Sequence, residues 1–150
     1  MRNAILLLIA MVPLTAADQG WVSLFNGKDL TGWKANESPG TFTVQDGAIV
    51  AHGPRSHCFY VGDFNHHSFT NFELKVDVMT RPKANGGIYI LTEYQVRING
   101  KEAVNWTQPA GWAGTSDFPE RRIGAGTIAL QGHDPGSMVY YKNIQIRLLK

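Results

Sequence analysis

Polar and apolar positions in this chain alternate far more often than they recur at helical spacing. In "NFELKVDVM" (residues 71–79) Phe72, Leu74, Val76 and Val78 alternate with Glu73, Lys75 and Asp77. This is the period-two pattern of a strand with one face in a core and the other in water. "FTVQDGAIV" (42–50) sets Phe42 and Val44 on one face and resumes at Ile49 after Asp46-Gly47, a dipeptide that accepts the positive φ of a tight hairpin. A second hairpin is predicted about Asn99-Gly100 in "EYQVRINGKEAVNW" (93–106), with Tyr94, Val96 and Ile98 on one side. "GGIYIL" (86–91) reads as a short apolar strand that opens on paired glycines, and "TIALQ" (127–131) with "MVYYKNIQIRLL" (138–149) supplies the last pair. No segment carries a helix of ordinary length, so the predicted class is all-β, an antiparallel β-sandwich that buries one face of each strand. "NWTQPAGWAGTSDFPERRIGAG" (105–126) has two prolines, four glycines and no period, and is predicted to be an extended surface loop.

The amino terminus departs from this pattern. "MRNAILLLIAMVPLTAADQG" starts with a cation at Arg2, runs apolar from Ala4 to Leu14 and reaches small residues at Thr15-Ala16-Ala17, the order of a secretory signal cut near Ala17. The apolar run is about half the roughly 20 residues that a membrane span needs, and Pro13 lies within it. No cysteine stands at its end to accept a lipid. Residues 1–17 are therefore expected to be a signal peptide and 18–150 a single domain, secreted or periplasmic, with no membrane attachment after cleavage. About 133 residues suffice for one domain with a core of its own.

Charge and cysteine narrow the field further. Without Arg2, Lys plus Arg exceeds the 12 acids by one, and the basic clusters Arg81-Pro82-Lys83 and Arg121-Arg122 are short, which argues against a nucleic-acid partner. Cys58 is the single cysteine and lies among large apolar residues in "SHCFYVG"; it can form no internal disulfide and reads as a buried, inert thiol. His57, His66 and His67 lie in or near one stretch, but their spacing is not that of a compact ligand set, so no metal or other cofactor is assigned.

Candidate chemistry concentrates in "LQGHDPGSMVYYKNI" (130–144). Gln131 and His133 are two apart, so on a continuing strand they share a face while Leu130 points into the core. Pro135-Gly136 at the two central positions suits a type II turn. Such a turn accounts for Asp134, Pro135 and Gly136 but not for Gln131 and His133. His133 reads either as a surface histidine, or one satisfied by a backbone carbonyl, or as a site residue; Asp134 either orients the imidazole or caps the turn. Asn85 precedes the Gly-Gly strand, Tyr89 on that strand offers a hydroxyl and a ring to a sugar face, and Glu93 is a carboxylate at the end of that region, whose bland reading is an exposed strand end. Trp33, Trp106 and Trp112 each have a plane on which a sugar could stack; Trp33 fits a core position better, and Trp112, in the Gly-rich loop, is the better binding candidate unless it pins that loop.

"WVSLFNGKDLTGWK" (21–34), "SHCFYVGDFNHHSFTNFELKVDVMTRPKANGGIYI" (56–90), "VRINGKEAVNWTQP" (96–109) and "GTIALQGHDPGSMVYYKNIQIRLL" (126–149) resemble the 3-keto-disaccharide hydrolase domain family. The resemblance spans nearly all of the chain after residue 17. It implies a concanavalin A-like jelly roll, with two curved antiparallel sheets and a saccharide site on the concave face, where the Gln-x-His pair belongs. It also implies cleavage of 3-keto-glycosides or 3-keto-disaccharides. One feature departs from the family: "YILTEYQ" runs directly into "VRINGK", joined between about Gln95 and Val96, where relatives carry further strands including a Gly-Tyr-Glu segment. A shortened sandwich exposes strand edges that favour self-association.

Two enzymatic routes differ in what they demand. Ordinary glycosidases need two carboxylic acids flanking the bond, and the clear strand acids Glu73 and Asp77 do not have the spacing of a dyad. A 3-keto sugar has an acidified C2 proton, so a single base can remove it, donors can hold the enolate, and the C1 substituent can leave before water adds. The predicted catalytic residues are His133 as base with Gln131 and Glu93; Asn85, Tyr89, Trp112 and His57 are predicted saccharide contacts. A catalytically silent carbohydrate-binding module, or a truncated remnant of the family, is the competing reading.

Overall fold

The computed structural model describes residues 20–90, 94–112 and 124–150. Their strands are β1 (Val22–Ser23), β2 (Trp33–Ala35), β3 (Phe42–Gln45), β4 (Ala48–Ala51), β5 (Ser56–Tyr60), β6 (Phe72–Thr80), β7 (Ile88–Tyr89), β8 (Tyr94–Ile98), β9 (Lys101–Trp106), β10 (Ala129–Gly132) and β11 (Val139–Leu148). Every pairing is antiparallel, and the all-β sandwich expected from the alternation is the observed fold. None of the described residues forms a helix long and apolar enough to cross a membrane.

In the first sheet β11 is the spine. β6 runs along one side of it; on the other side β4 pairs with Val139–Tyr141 and carries β3, and β1 pairs with Gln145 and Ile146. The second sheet has the order β2-β5-β10-β7. Phe42, Ile49, Val139, Tyr141, Ile144 and Ile146 from the first sheet meet Trp33, Cys58, Tyr60 and Leu130 from the second in one buried cluster. The hydrophobic gain of that shared layer is what draws the two sheets together.

The short motifs build this frame. Asp46 and Gly47 both take positive φ, 51° and 75°, and close the β3–β4 hairpin; Asn99 and Gly100, at 50° and 78°, close β8–β9. In "LFNGKDLTGW", Asn26 Oδ1 accepts from the Lys28 and Asp29 N–H groups, and Asp29 Oδ1 accepts from Asn26 Nδ2 and the Thr31 N–H. Trp33 then buries its ring edge-on to Tyr60, centroids 5.5 Å apart, and donates Nε1–H to the Leu24 carbonyl at 2.8 Å. Trp33 is thus a core residue. Asn143, at φ 50°, forms the bulge that shifts the β6–β11 register between Lys142 and Gln145, and its Nδ2 donates to Asp77 at 2.7 Å.

Three sequence expectations change. The runs 127–131 and 138–149 do form strands, but they do not pair with each other. β10 gives its two edges to β5 and β7, so the chain must leave the second sheet and enter the first to reach β11. Gly136 does not take a positive φ, so the turn is not type II; the Asp134 carboxylate accepts the Gly136 N–H at 2.8 Å and the Asp134 carbonyl accepts the Ser137 N–H at 3.1 Å, which holds the turn in another conformation. Along β6, Phe72, Leu74 and Val76 pack on the core, whereas Val78 is 51% exposed because the core cluster stops at Val76. The β8–β9 hairpin forms a two-stranded sheet of its own. Only residues 107–112 and 124–126 of the expected loop are both described and outside strands, β9 having taken the first two. The segment read as a signal peptide lies outside the described residues.

Where the chain crosses between sheets the packing is closest. A Cβ on Gly132 would sit 2.4 Å from Thr41 Cγ2, and one on Gly86 would sit 2.8 Å from Val139 Cγ2. Thr41 is 1% exposed and cannot swing aside. Gly132→Ala is accordingly expected to destabilise the fold by about 1–3 kcal/mol, the usual cost of overpacking, measured as a lowered denaturation midpoint at unchanged m-value.

Asp29 links the amino-terminal loop to pH. Hydrogen bonding from Thr31 first, and then from Asn26, pushes its carboxyl down to about 2 from the ordinary 3.8. A depressed folded-state value contributes stability that is present above the unfolded value and lost as pH falls through the folded one. The difference in melting temperature between the native chain and Asp29→Asn should therefore narrow as pH drops from about 4 to about 2, and a constant difference across that window contradicts this role.

Candidate active site

The outer face of the second sheet is assembled by register. Gln131 of β10 lies directly opposite His57 of β5, and Ala129 lies between Phe59 and Tyr89. Because Ser56, Cys58 and Tyr60 are buried inward, His57 and Phe59 face out with Gln131. Gln131 Nε2 donates to the Tyr89 hydroxyl at 3.2 Å, and the His57 ring stands edge-on to Tyr89 with centroids 5.1 Å apart. Next to this group a hollow of about 180 Å³ is lined by Lys34, Ala35, Asn36, Phe59 and Val61, and Asn36 Oδ1 accepts the His57 N–H at 2.9 Å.

His133 lies one residue beyond β10, which ends at Gly132, so the shared strand face expected for Gln131 and His133 is not built by a continuing strand. Its position is set by the turn instead. His133 Nδ1 bonds Asp134 Oδ2 at 2.8 Å, with the side chains 43% and 44% exposed. An ionised carboxylate only accepts, so Nδ1 is the donor, and in the neutral tautomer the lone pair is on Nε2. Asp134 therefore both caps the turn, through Oδ1, and orients the imidazole, through Oδ2. The bonds from His133 and then Ser137 hold its carboxyl below the ordinary 3.8.

Two further residues belong to this network. Ser137, 2% exposed, donates its hydroxyl to Asp134 Oδ2 at 2.8 Å and accepts the Asn85 N–H at 2.8 Å; its carbonyl lies 3.0 Å from His52 Nδ1. Ser137 thus ties the loop before β7, where exposed Asn85 sits, to the carboxylate that orients His133. The only sequence signal for Ser137 was its place three residues after a turn-forming aspartate, and His52 offered none.

The other predicted residues separate. Glu93 lies outside the described residues. Trp112, 38% exposed, follows β9 and is not among the residues that the sheet pairings bring to this face. Trp106 ends β9. His66 and His67 occupy a turn at Phe64–His67, away from the strand position of His57, and no group of three metal-ligating side chains gathers among the described residues. Burial pushes the Cys58 thiol up to about 11, which keeps it protonated. Glu73 is paired with Arg147, whose Nε donates to it at 2.8 Å, and Asp77 is held by Asn143. Four residues apart on one strand, these acids are about 13 Å apart along the backbone, beyond the span of a glycosidase pair. A groove of about 300 Å³ on the first sheet, lined in part by Asp77, Met79, Tyr140 and Lys142, has no histidine in its lining.

No curated protein matches the chain. The fold is similar to that of a crystal structure of a candidate glycosyl hydrolase from Parabacteroides distasonis, at 22% identity and a TM-score of 0.57, over 92% of this chain and 99% of the other. The profile of the 3-keto-alpha-glucoside-1,2-lyase-like domain matches residues 20–97, from the loop before β1 through most of β8. The chain belongs to that 3-keto-alpha-glucoside-1,2-lyase-like domain family.

Proposed function

We propose that this protein cleaves 3-keto-glycosides, with His133 as the general base. The observation that carries the reading is the His133–Asp134 pair, in which Asp134 engages Nδ1 and leaves Nε2 as the ring nitrogen open to a substrate, one residue past the strand whose Gln131 contacts Tyr89. Nε2 takes the C2 proton, and the electron pair moves into the C2–C3 bond as the C3 carbonyl becomes an enolate. Hydrogen-bond donors such as Gln131 and Asn85 favour that charge. Collapse of the enolate restores the ketone, forms the C1–C2 double bond and breaks the bond from C1 to the glycosidic oxygen. The leaving alkoxide takes a proton, which His133, now an imidazolium, can supply. Addition of water across C1–C2 completes a net hydrolysis, and departure of the enone before water adds completes a lyase reaction. The 1,2-lyase in the family description fits the shared elimination step. Tyr89 and His57 supply ring edges and a hydroxyl for sugar contact.

Removing a general base costs roughly two to four orders of magnitude. His133→Ala should lower turnover of 3-keto-trehalose by about 10²–10⁴-fold while leaving the melting temperature nearly unchanged, because the ring is exposed. Asp134→Asn, which can still cap Gly136, should lose activity by a smaller factor. Equal turnover in the native chain and His133→Ala removes the assigned base.

A further inference from the structure

We propose that β6 is a homodimerisation strand, pairing antiparallel with β6 of a second copy about Val76. Among the described residues β6 pairs with β11 alone, which leaves a nine-residue edge without a proline or a bulge to blunt it.

The direction of its backbone groups follows from its ends. The Arg81 N–H donates to the Met138 carbonyl and the Asn71 carbonyl accepts from the Leu149 N–H, so odd-numbered residues address β11. Phe72, Leu74, Val76, Val78 and Thr80 accordingly present both N–H and C=O to the open edge, as strand addition requires.

Side-chain chemistry then selects the register. With Val76 opposite Val76, all nine residues pair. Lys75 of each copy lies opposite Asp77 of the other, twice by symmetry, and Val78 lies against Leu74. Sliding by two residues sets Lys75 against Lys75 and Glu73 against Asp77 in one direction, and Asp77 against Asp77 in the other. Sliding by four leaves about half the strand paired. Opposite charges directly across a ladder stabilise it and like charges oppose it. The required side chains are in reach on the solvent face: Lys75 rests its Nζ 4.0 Å over the Trp21 ring, and Asp77 is held through Oδ2 by Asn143, which leaves Oδ1 to accept. The register also covers Val78, 51% exposed in the single chain.

Sedimentation velocity on the purified protein across a micromolar range tests this. The native chain is expected to show a concentration-dependent dimer. Lys75→Asp and Asp77→Lys should each weaken it by about tenfold or more, and the double exchange should restore it. Val78→Pro, which removes an N–H that points away from β11 and so spares the fold, should give a monomer with a cooperative melt. A native chain that stays monomeric overturns the proposal. So does a dimer indifferent to Val78→Pro and to both charge reversals, which points instead to the β8–β9 face. Loss in the single reversals without recovery in the double exchange excludes this register.

Discussion

The structure depends on how closely its two sheets meet where the chain crosses between them. Gly132 lies against Thr41 and Gly86 against Val139 with no room for a methyl group. The buried Tyr141 hydroxyl reaches from the first sheet to the carbonyls of Gly87 and Gln131 on the second, at 3.2 and 3.4 Å. Burial raises that phenol to about 12, so it stays a donor. Its single proton is shared between two acceptors, which binds β7 and β10 to the spine strand at one point. The junction thereby fixes the backbone at Gly87 and Gln131 against the spine strand.

The histidine and aspartate of the Pro-Gly turn stand where they do for a physical reason. The turn does not close a hairpin; it carries the chain from one sheet to the other. Asp134 holds its shape with one oxygen and fixes the imidazole with the other. Ser137 adds the third partner and fastens the Asn85 loop to the same carboxylate. A single exposed side chain thus couples local backbone geometry to the orientation of the His133 imidazole. The coupling needs no deep burial, because the carboxylate is satisfied by short local contacts.

What could be read in the sequence was what local chemistry decides. Asp46-Gly47 and Asn99-Gly100 are adequate for their hairpins on their own, and the alternation of β6 gives its faces without knowledge of its neighbours. Trp33 was legible as core from its motif. Sheet membership was not legible: nothing in residues 127–149 shows that β10 already has a neighbour on each edge, and so the separation of β10 from β11 appears only in three dimensions. For the same reason His52 and Ser137 went unnoticed, since each matters through a partner far away in sequence or through burial. Pro-Gly alone suits a type II turn, while the carboxylate cap favours another conformation at Gly136. Val78 kept its predicted face, yet the core that should have covered it ends one step earlier. The family resemblance rested largely on residues that build the frame, the Asn26–Asp29 loop and the Asn143 bulge among them, which is why it foresaw the fold better than the arrangement of the site.

The central claim is that His133 removes a proton from C2 of an oxidised sugar. Its most direct test is to run the cleavage of a 3-keto-glucoside in deuterium oxide and read the C2 position of the released sugar by NMR, against a reaction without protein. The account predicts loss of the original C2 proton at the rate of bond cleavage and well above the background exchange of the ketone, with solvent deuterium in its place in a hydrated product and no hydrogen there in a released enone. Cleavage that leaves the original proton at C2 would contradict it.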